Sequence, residues 1–175
     1  HDFNNTAMGW ALPALIGAHF ADPNREKICI SGDGSFMMTM QELGTVLHHE
    51  INLKLIIINN SGYSMIKQTQ DQWLKSNYVA SSEEGGLSFP DFQKISEAFK
   101  LGYLELSKSE DMEAKLNQFL MSKKSILMNI KIPDSARVKP QVKFGKPNED
   151  MEPLMSRELF LENMIVKPLE TSFED

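Results

Sequence analysis

Asp33 stands between two glycines in Gly32-Asp33-Gly34-Ser35, and Asn60 lies in Asn59-Asn60-Ser61-Gly62; each cluster closes an apolar, strand-like run. A carboxylate on such a turn can reach a hard cation, while Gly34 and Ser35 admit close approach of backbone N–H groups to a phosphate. Magnesium takes an octahedral shell of oxygens and shares it with ligand phosphates. Asp33 offers an anionic oxygen, Asn60 an amide carbonyl and Gly62 its backbone carbonyl, with diphosphate and water completing the shell. Gly62 is expected to supply a backbone conformation awkward for other residues, and Asn59 to tie the loop by hydrogen bonds. A helix beginning after the turn adds only about 0.3–1 kcal/mol for an anion, so the cation carries the attraction. Either cluster alone also reads as an ordinary turn. The spacing of twenty-seven from Asp33 to Asn60 fits one crossover helix and a return strand, and this pairing points to a site.

The surrounding elements follow from hydrophobic period. Residues 7–21 are small and apolar and predict a helix despite Pro13, ended by Asp22-Pro23-Asn24. Residues 27–31 predict a strand. Met37, Met40, Leu43, Val46 and Leu47 recur at helical spacing. Residues 53–58 form a β-branched run suited to a strand covered on both faces. Together these make a βαβ unit. Residues 63–73 predict a helix or an ordered loop, and residues 74–90 a long surface excursion beside the site. A helix is expected over 91–100 with Gly102 at its end, a strand over 103–106, a helix capped by Ser109 and a strand over 126–132. The fold class is therefore α/β, three-layer α/β/α with a mostly parallel sheet. Residues 1–134 form the diphosphate and magnesium domain. Residues 135–175, rich in proline and basic residues, form an extended arm that wraps its own domain or a partner, with a short helix near 157–164.

Composition narrows the function. The chain has 175 residues, of which 41% are hydrophobic and 24% charged; that length favours one domain, burying roughly 70% of its unfolded surface. With 18 basic and 24 acidic residues the net charge is -6, so no global positive field attracts nucleic acid or anionic lipid. No apolar run is long enough to span a membrane. Cys29, the single cysteine, reads as a buried thiol in a reducing, cytoplasmic setting. His48 and His49 fall at the far end of the crossover helix and are not expected in catalysis. The opening His1-Asp2-Phe3-Asn4-Asn5-Thr6 reads as an internal piece of a longer polypeptide, apparently truncated at its N-terminus.

The signature from Gly32-Asp33-Gly34-Ser35 to Asn59-Asn60, inside a wider match from Asn5 to Gln70, resembles the C-terminal diphosphate-binding domain of thiamine-diphosphate enzymes. The segment Thr6-Ala7-Met8-Gly9-Trp10-Ala11-Leu12-Pro13-Ala14 is similar to acetolactate-synthase-like members in particular. The resemblance implies thiamine diphosphate and Mg2+ as cofactors, with Asp33, Asn60 and Gly62 on the metal and Gly34 and Ser35 at the diphosphate. It also implies that Met8 supports the bent cofactor from below while backbone groups at Thr6 and Met8 meet the aminopyrimidine. Tyr63, Met65, Ile66 and Gln68 become candidates near the acyl group, and His1 a candidate pocket contact.

The activity implied is decarboxylation of a 2-oxoacid followed by transfer of the acyl carbanion equivalent to a second carbonyl. The alternatives are a non-oxidative 2-oxoacid decarboxylase and a non-catalytic nucleotide- or phosphate-binding module. Thr69 stands where acetolactate synthases usually have Trp, which leaves the substrate open. In the family an activating glutamate comes from a separate pyrimidine-binding domain, and no glutamate here fits that segment. The expected partners are a 2-oxoacid, the missing N-terminal domains and a second copy in a homodimer or higher homo-oligomer; the isolated chain is expected to be weak or inactive.

Overall fold

Isoleucines on both faces of β2 (Lys54–Asn59) suit it to the interior of a sheet, and it lies there, paired in parallel with β1 (Ile28–Gly32) and β4 (Ile126–Lys131). β3 (Gly102–Leu106) pairs with β4, also in parallel, giving the order β1-β2-β4-β3. The computed structural model describes residues 5–143 and 145–173. Two compact units divide the chain, His1–Tyr63 with Val79–Ala136, and Ser64–Tyr78 with Arg137–Asp175. The sheet belongs to the first.

Helices cover both sheet faces of that unit. On one, α1 (Ala11–Ala21), α2 (Asp33–Met37), α3 (Leu43–His48) and α5 (Phe92–Ala98) bring Leu12, Leu15, Phe36, Leu43, Val46 and Phe92 onto Cys29, Leu55, Ile57 and Leu127. On the other, α6 (Met112–Met121) sets Phe119 against Ile56, Ile126 and Met128. Each Leu, Ile or Phe so buried contributes about 1.5–3 kcal/mol. The three-layer α/β/α arrangement expected from the sequence is the one observed. Edge strand β1 exposes Ile28 and Ile30, the latter at 61%, along an open groove of about 740 Å³ walled by α1.

Several local expectations are corrected. The crossover is not one helix: it breaks after α2, turns at Met38-Thr39, and resumes through a 3-10 turn at Met40–Glu42 before α3. Thr39 is drawn out of helical geometry (φ -135, ψ 19) and its hydroxyl donates to the Gly9 carbonyl at 2.9 Å. The first helix starts at Ala11 and not Ala7, because a turn at Met8-Gly9, with Gly9 at φ 85, precedes it. Pro13 then falls in the first turn, where its missing N–H costs nothing. Lys100, at φ 58, closes α5 in the left-handed conformation assigned to Gly102, which instead opens β3. Ser109 starts a 3-10 turn without a side-chain cap, whereas Asp91 caps α5 by accepting from the N–H groups of Gln93 and Lys94.

The second unit consists of α4 (Ser64–Trp73), the turn after it and the arm. Gln68 binds Val138 in both directions, accepting from its N–H at 2.9 Å and donating to its carbonyl at 3.4 Å. Arg137 donates to Asp71 at 2.8 Å and to the Tyr78 hydroxyl at 3.1 Å. Arg137 and Val138, at the start of the arm, are thus tied to α4 and the turn after it. The arm contains an antiparallel bridge between Gln141 and Glu152, then α7 (Arg157–Asn163), capped by Ser156, and a 3-10 turn at Glu170–Ser172. No helix among the described residues is long and apolar enough to cross a membrane.

Candidate functional site

Parallel pairing of β1 with β2 aligns Gly32 with Ile58, so the residues after each strand emerge at one edge of the sheet. Asp33 is only 2% exposed there. Its Oδ1 accepts from the Gly34 N–H at 2.7 Å, and its Oδ2 accepts from the N–H groups of Asn60 at 3.1 Å and Gly62 at 3.3 Å. Burial pushes the Asp33 carboxyl above the usual aspartate range, opposed by these backbone hydrogen bonds. No basic side chain pairs with it among the described residues. A buried carboxylate surrounded by amides and lacking a cation is a receptive place for one.

The rest of the loop presents hard oxygens. Asn60 makes hydrogen bonds of its own, yet its Oδ1 atom is buried and accepts from no donor among the described residues. Asn59 Oδ1 receives the Ser61 N–H at 3.0 Å, the loop tie expected of that residue. Ser61, at φ 55, and not Gly62, carries the left-handed backbone. Among the described residues no three His, Cys, Asp or Glu side chains cluster as a metal cage. An ion beside Asp33 would therefore rest on one carboxylate, amide and carbonyl oxygens, and oxygens brought by a ligand, which is the donor set of magnesium and not of zinc.

Gly34 is required for a reason the sequence did not disclose. A Cβ there would lie 2.0 Å from Cε1 of Tyr63, and the Tyr63 ring is itself set edge-on to Phe89 with centroids 6.3 Å apart. Ser35 receives the Gly9 N–H on its Oγ at 2.9 Å, leaving its own O–H to donate. With the Thr39–Gly9 bond, this brings the Met8 turn beside the Asp33 turn. Met8 is 41% exposed and so stands outside the apolar core. Thr6 (φ 46) and Ser35 line the groove between α1 and β1.

Met65 and Ile66 lie exposed on α4 in the second unit. Gln68, by contrast, is buried and spent on Val138, so it is corrected from a substrate contact to an anchor of the arm. Thr69 donates its hydroxyl to the Met65 carbonyl at 3.2 Å. His48 and His49 sit at the end of α3 in edge contact with each other; His1 lies outside the described residues. Thr39 and Asn129 were missed. Only Asn129 left a trace, as an uncharged polar residue inside the apolar run Ile126-Leu127-Met128-Asn129-Ile130.

Comparison with known proteins identifies the family. The family described as "Thiamine pyrophosphate enzyme, C-terminal TPP binding domain" matches residues 2–130. The acetolactate synthase large subunit of Porphyra purpurea is 37% identical over 144 residues, covering 82% of this chain and 24% of that protein. The acetolactate synthase isozyme 2 large subunit of Escherichia coli (strain K12) is 37% identical over 144 residues, covering 82% and 26%. Among solved structures, the Rhodococcus jostii RHA1 thiamine diphosphate-dependent 4-hydroxybenzoylformate decarboxylase superposes with a TM-score of 0.61 at 25% identity, covering 73% of this chain and 24% of that one. The chain spans about a quarter of the length of these relatives.

Proposed function

This chain belongs to the C-terminal TPP-binding domain family of thiamine pyrophosphate enzymes, and from that premise we propose that it is the magnesium- and diphosphate-binding part of an acetolactate synthase-like enzyme. The observation that carries the proposal is Asp33, a buried carboxylate with no basic partner among the described residues that holds the Asn60 and Gly62 backbone at its rim. Asp33, Asn60 and the Gly62 carbonyl would hold Mg2+, and Gly34 and the Ser35 hydroxyl would meet the diphosphate. Met8 would support the cofactor, with the Thr6 and Met8 backbone at its aminopyrimidine. Tyr63 would complete the cofactor contacts of this unit.

Thiamine diphosphate, when bound, supplies a carbon nucleophile and an electron sink for loss of carbon dioxide from a 2-oxoacid. The chain's own residues bind and orient. Asp33 would hold the ion that anchors the diphosphate, and the bond from Gly9 to Ser35 keeps the Met8 turn beside the Asp33 turn. The remainder of the whole protein, including the activating glutamate, lies in further N-terminal domains, and the complete enzyme is a homodimer or higher homo-oligomer in the cytoplasm.

A second reading, non-oxidative decarboxylation, is favoured by the likeness to the Rhodococcus jostii decarboxylase. Supplying the full-length protein with thiamine diphosphate, Mg2+ and a panel of 2-oxoacids separates the two. A 2-hydroxy-2-methyl-3-oxo acid from pyruvate supports the synthase; an aldehyde as sole organic product supports the decarboxylase. No carbon dioxide from any 2-oxoacid contradicts both.

A further inference from the structure

A line of side chains crosses the sheet beneath the loop that bears Asn60 and Gly62. Leu55, Ile57 and Leu127 fill the apolar core on one face of the sheet; Asn59 and Asn129, each two residues beyond in its strand, continue that face with amides. Both are buried. Asn59 Oδ1 accepts from the Ser61 N–H at 3.0 Å, and Asn59 Nδ2 donates to Asn129 Oδ1 at 3.1 Å. Asn129 Nδ2 donates to the Tyr103 hydroxyl at 3.2 Å, which donates to Glu105 at 3.1 Å. Glu105 also meets Lys131 at 3.2 Å, near the surface.

We propose that Asn129 is a positioning residue for the metal loop, acting through Asn59 on Ser61; this rests on the reading of Asp33, Asn60 and Gly62 as the magnesium site. Ser61 is held at φ 55, a conformation a side-chain-bearing residue keeps only when its surroundings impose it. The Asn59 carbonyl imposes it from within the loop. Asn59 can aim that carbonyl only while its amide nitrogen has an acceptor, since a buried N–H without one turns elsewhere. Asn129 is that acceptor, and its own nitrogen is fixed by Tyr103. An amide suits the position because it accepts on one side and donates on the other. Leucine does neither. Aspartate accepts on both oxygens, and Tyr103 can satisfy it by swinging its O–H from Glu105.

The test is magnesium titration of full-length protein at saturating thiamine diphosphate, read by calorimetry, alongside melting of the metal-free protein. Asn129→Leu is expected to raise the half-saturating magnesium concentration at least tenfold, whereas Asn129→Asp stays within threefold of wild type. Ile126→Ala, on the opposite sheet face and away from the loop, is expected to lower the melting temperature by as much or more and leave magnesium binding unchanged. Magnesium binding by Asn129→Leu equal to wild type, or weakened only as far as by Ile126→Ala, overturns the proposal. Should Asn129→Leu not fold, Tyr103→Phe replaces it, with a two- to fivefold weakening expected and no change overturning the proposal. If wild type shows no magnesium-dependent binding of thiamine diphosphate, the site reading itself fails; if wild type binds and Asn129→Leu is unaffected, only the positioning role fails.

Discussion

The Asp33 carboxylate and the backbone N–H of Asn60, twenty-seven positions apart in the chain, meet at 3.1 Å. One contact between two strand-end loops converts a pair of turn sequences into a single locus. The same Oδ2 reaches Gly62, so the residue proposed to bind the cation also gathers the groups proposed to share it.

Gly34→Ala places a methyl group inside the space of the Tyr63 ring. Overpacking of this kind costs about 1–3 kcal/mol, and the melting temperature should fall by several degrees. Gly34→Ala with Tyr63→Ala should be more stable than the sum of the single changes, because the clash disappears with the ring. Thermal melting of the four proteins checks this; strict additivity would contradict the account.

Thr39→Val keeps shape but removes the hydrogen bond to the Gly9 carbonyl, worth about 1 kcal/mol. Freed from Thr39, the Met8 turn should hold thiamine diphosphate several-fold less tightly at saturating magnesium. Equilibrium titration of the full-length protein measures it, and unchanged affinity would show that the turn is fixed by other contacts.

Burial pushes the Cys29 thiol up to about 11. Because the folded value is raised, its contribution to stability is complete below the unfolded thiol value and is lost as pH rises through about 11. The native thiol should resist iodoacetamide at pH 8, with alkylation at least a hundredfold slower than in denaturant. Rapid alkylation without unfolding would argue that Cys29 is accessible.

Arg157 grips Asp150 with two hydrogen bonds, at 2.8 and 2.9 Å, and holds its carboxyl below the usual aspartate range. A depressed folded value stabilises the arm above the unfolded aspartate range, and that support is lost as pH falls through the folded value. Arg157→Met should speed proteolytic cleavage within residues 137–173 at neutral pH, and acid should narrow the difference from wild type. Equal cleavage of both at pH 7 would refute the clamp.

The legible parts of the sequence were those fixed by local chemistry. Apolar runs ending in Gly-Asp-Gly and Asn-Asn specified β1, β2 and their loops, because both sheet burial and turn formation are local demands. The break at Thr39 was hidden, since its cause is a bond to Gly9 thirty residues earlier. The requirement for glycine at 34 was hidden likewise, because Tyr63 imposes it from another loop. Gln68 looked like a substrate contact for want of any sign that Val138 would occupy it. Long-range pairing, not propensity, decided each of these.

The most direct test is calorimetric titration of thiamine diphosphate into the full-length protein, wild type and Asp33→Ala, with Mg2+ and with EDTA, each fold checked by circular dichroism. The account predicts binding by wild type only with Mg2+ and a loss of at least a hundredfold in Asp33→Ala with the fold intact. Equal affinity for both proteins, or wild-type binding indifferent to EDTA, would contradict it.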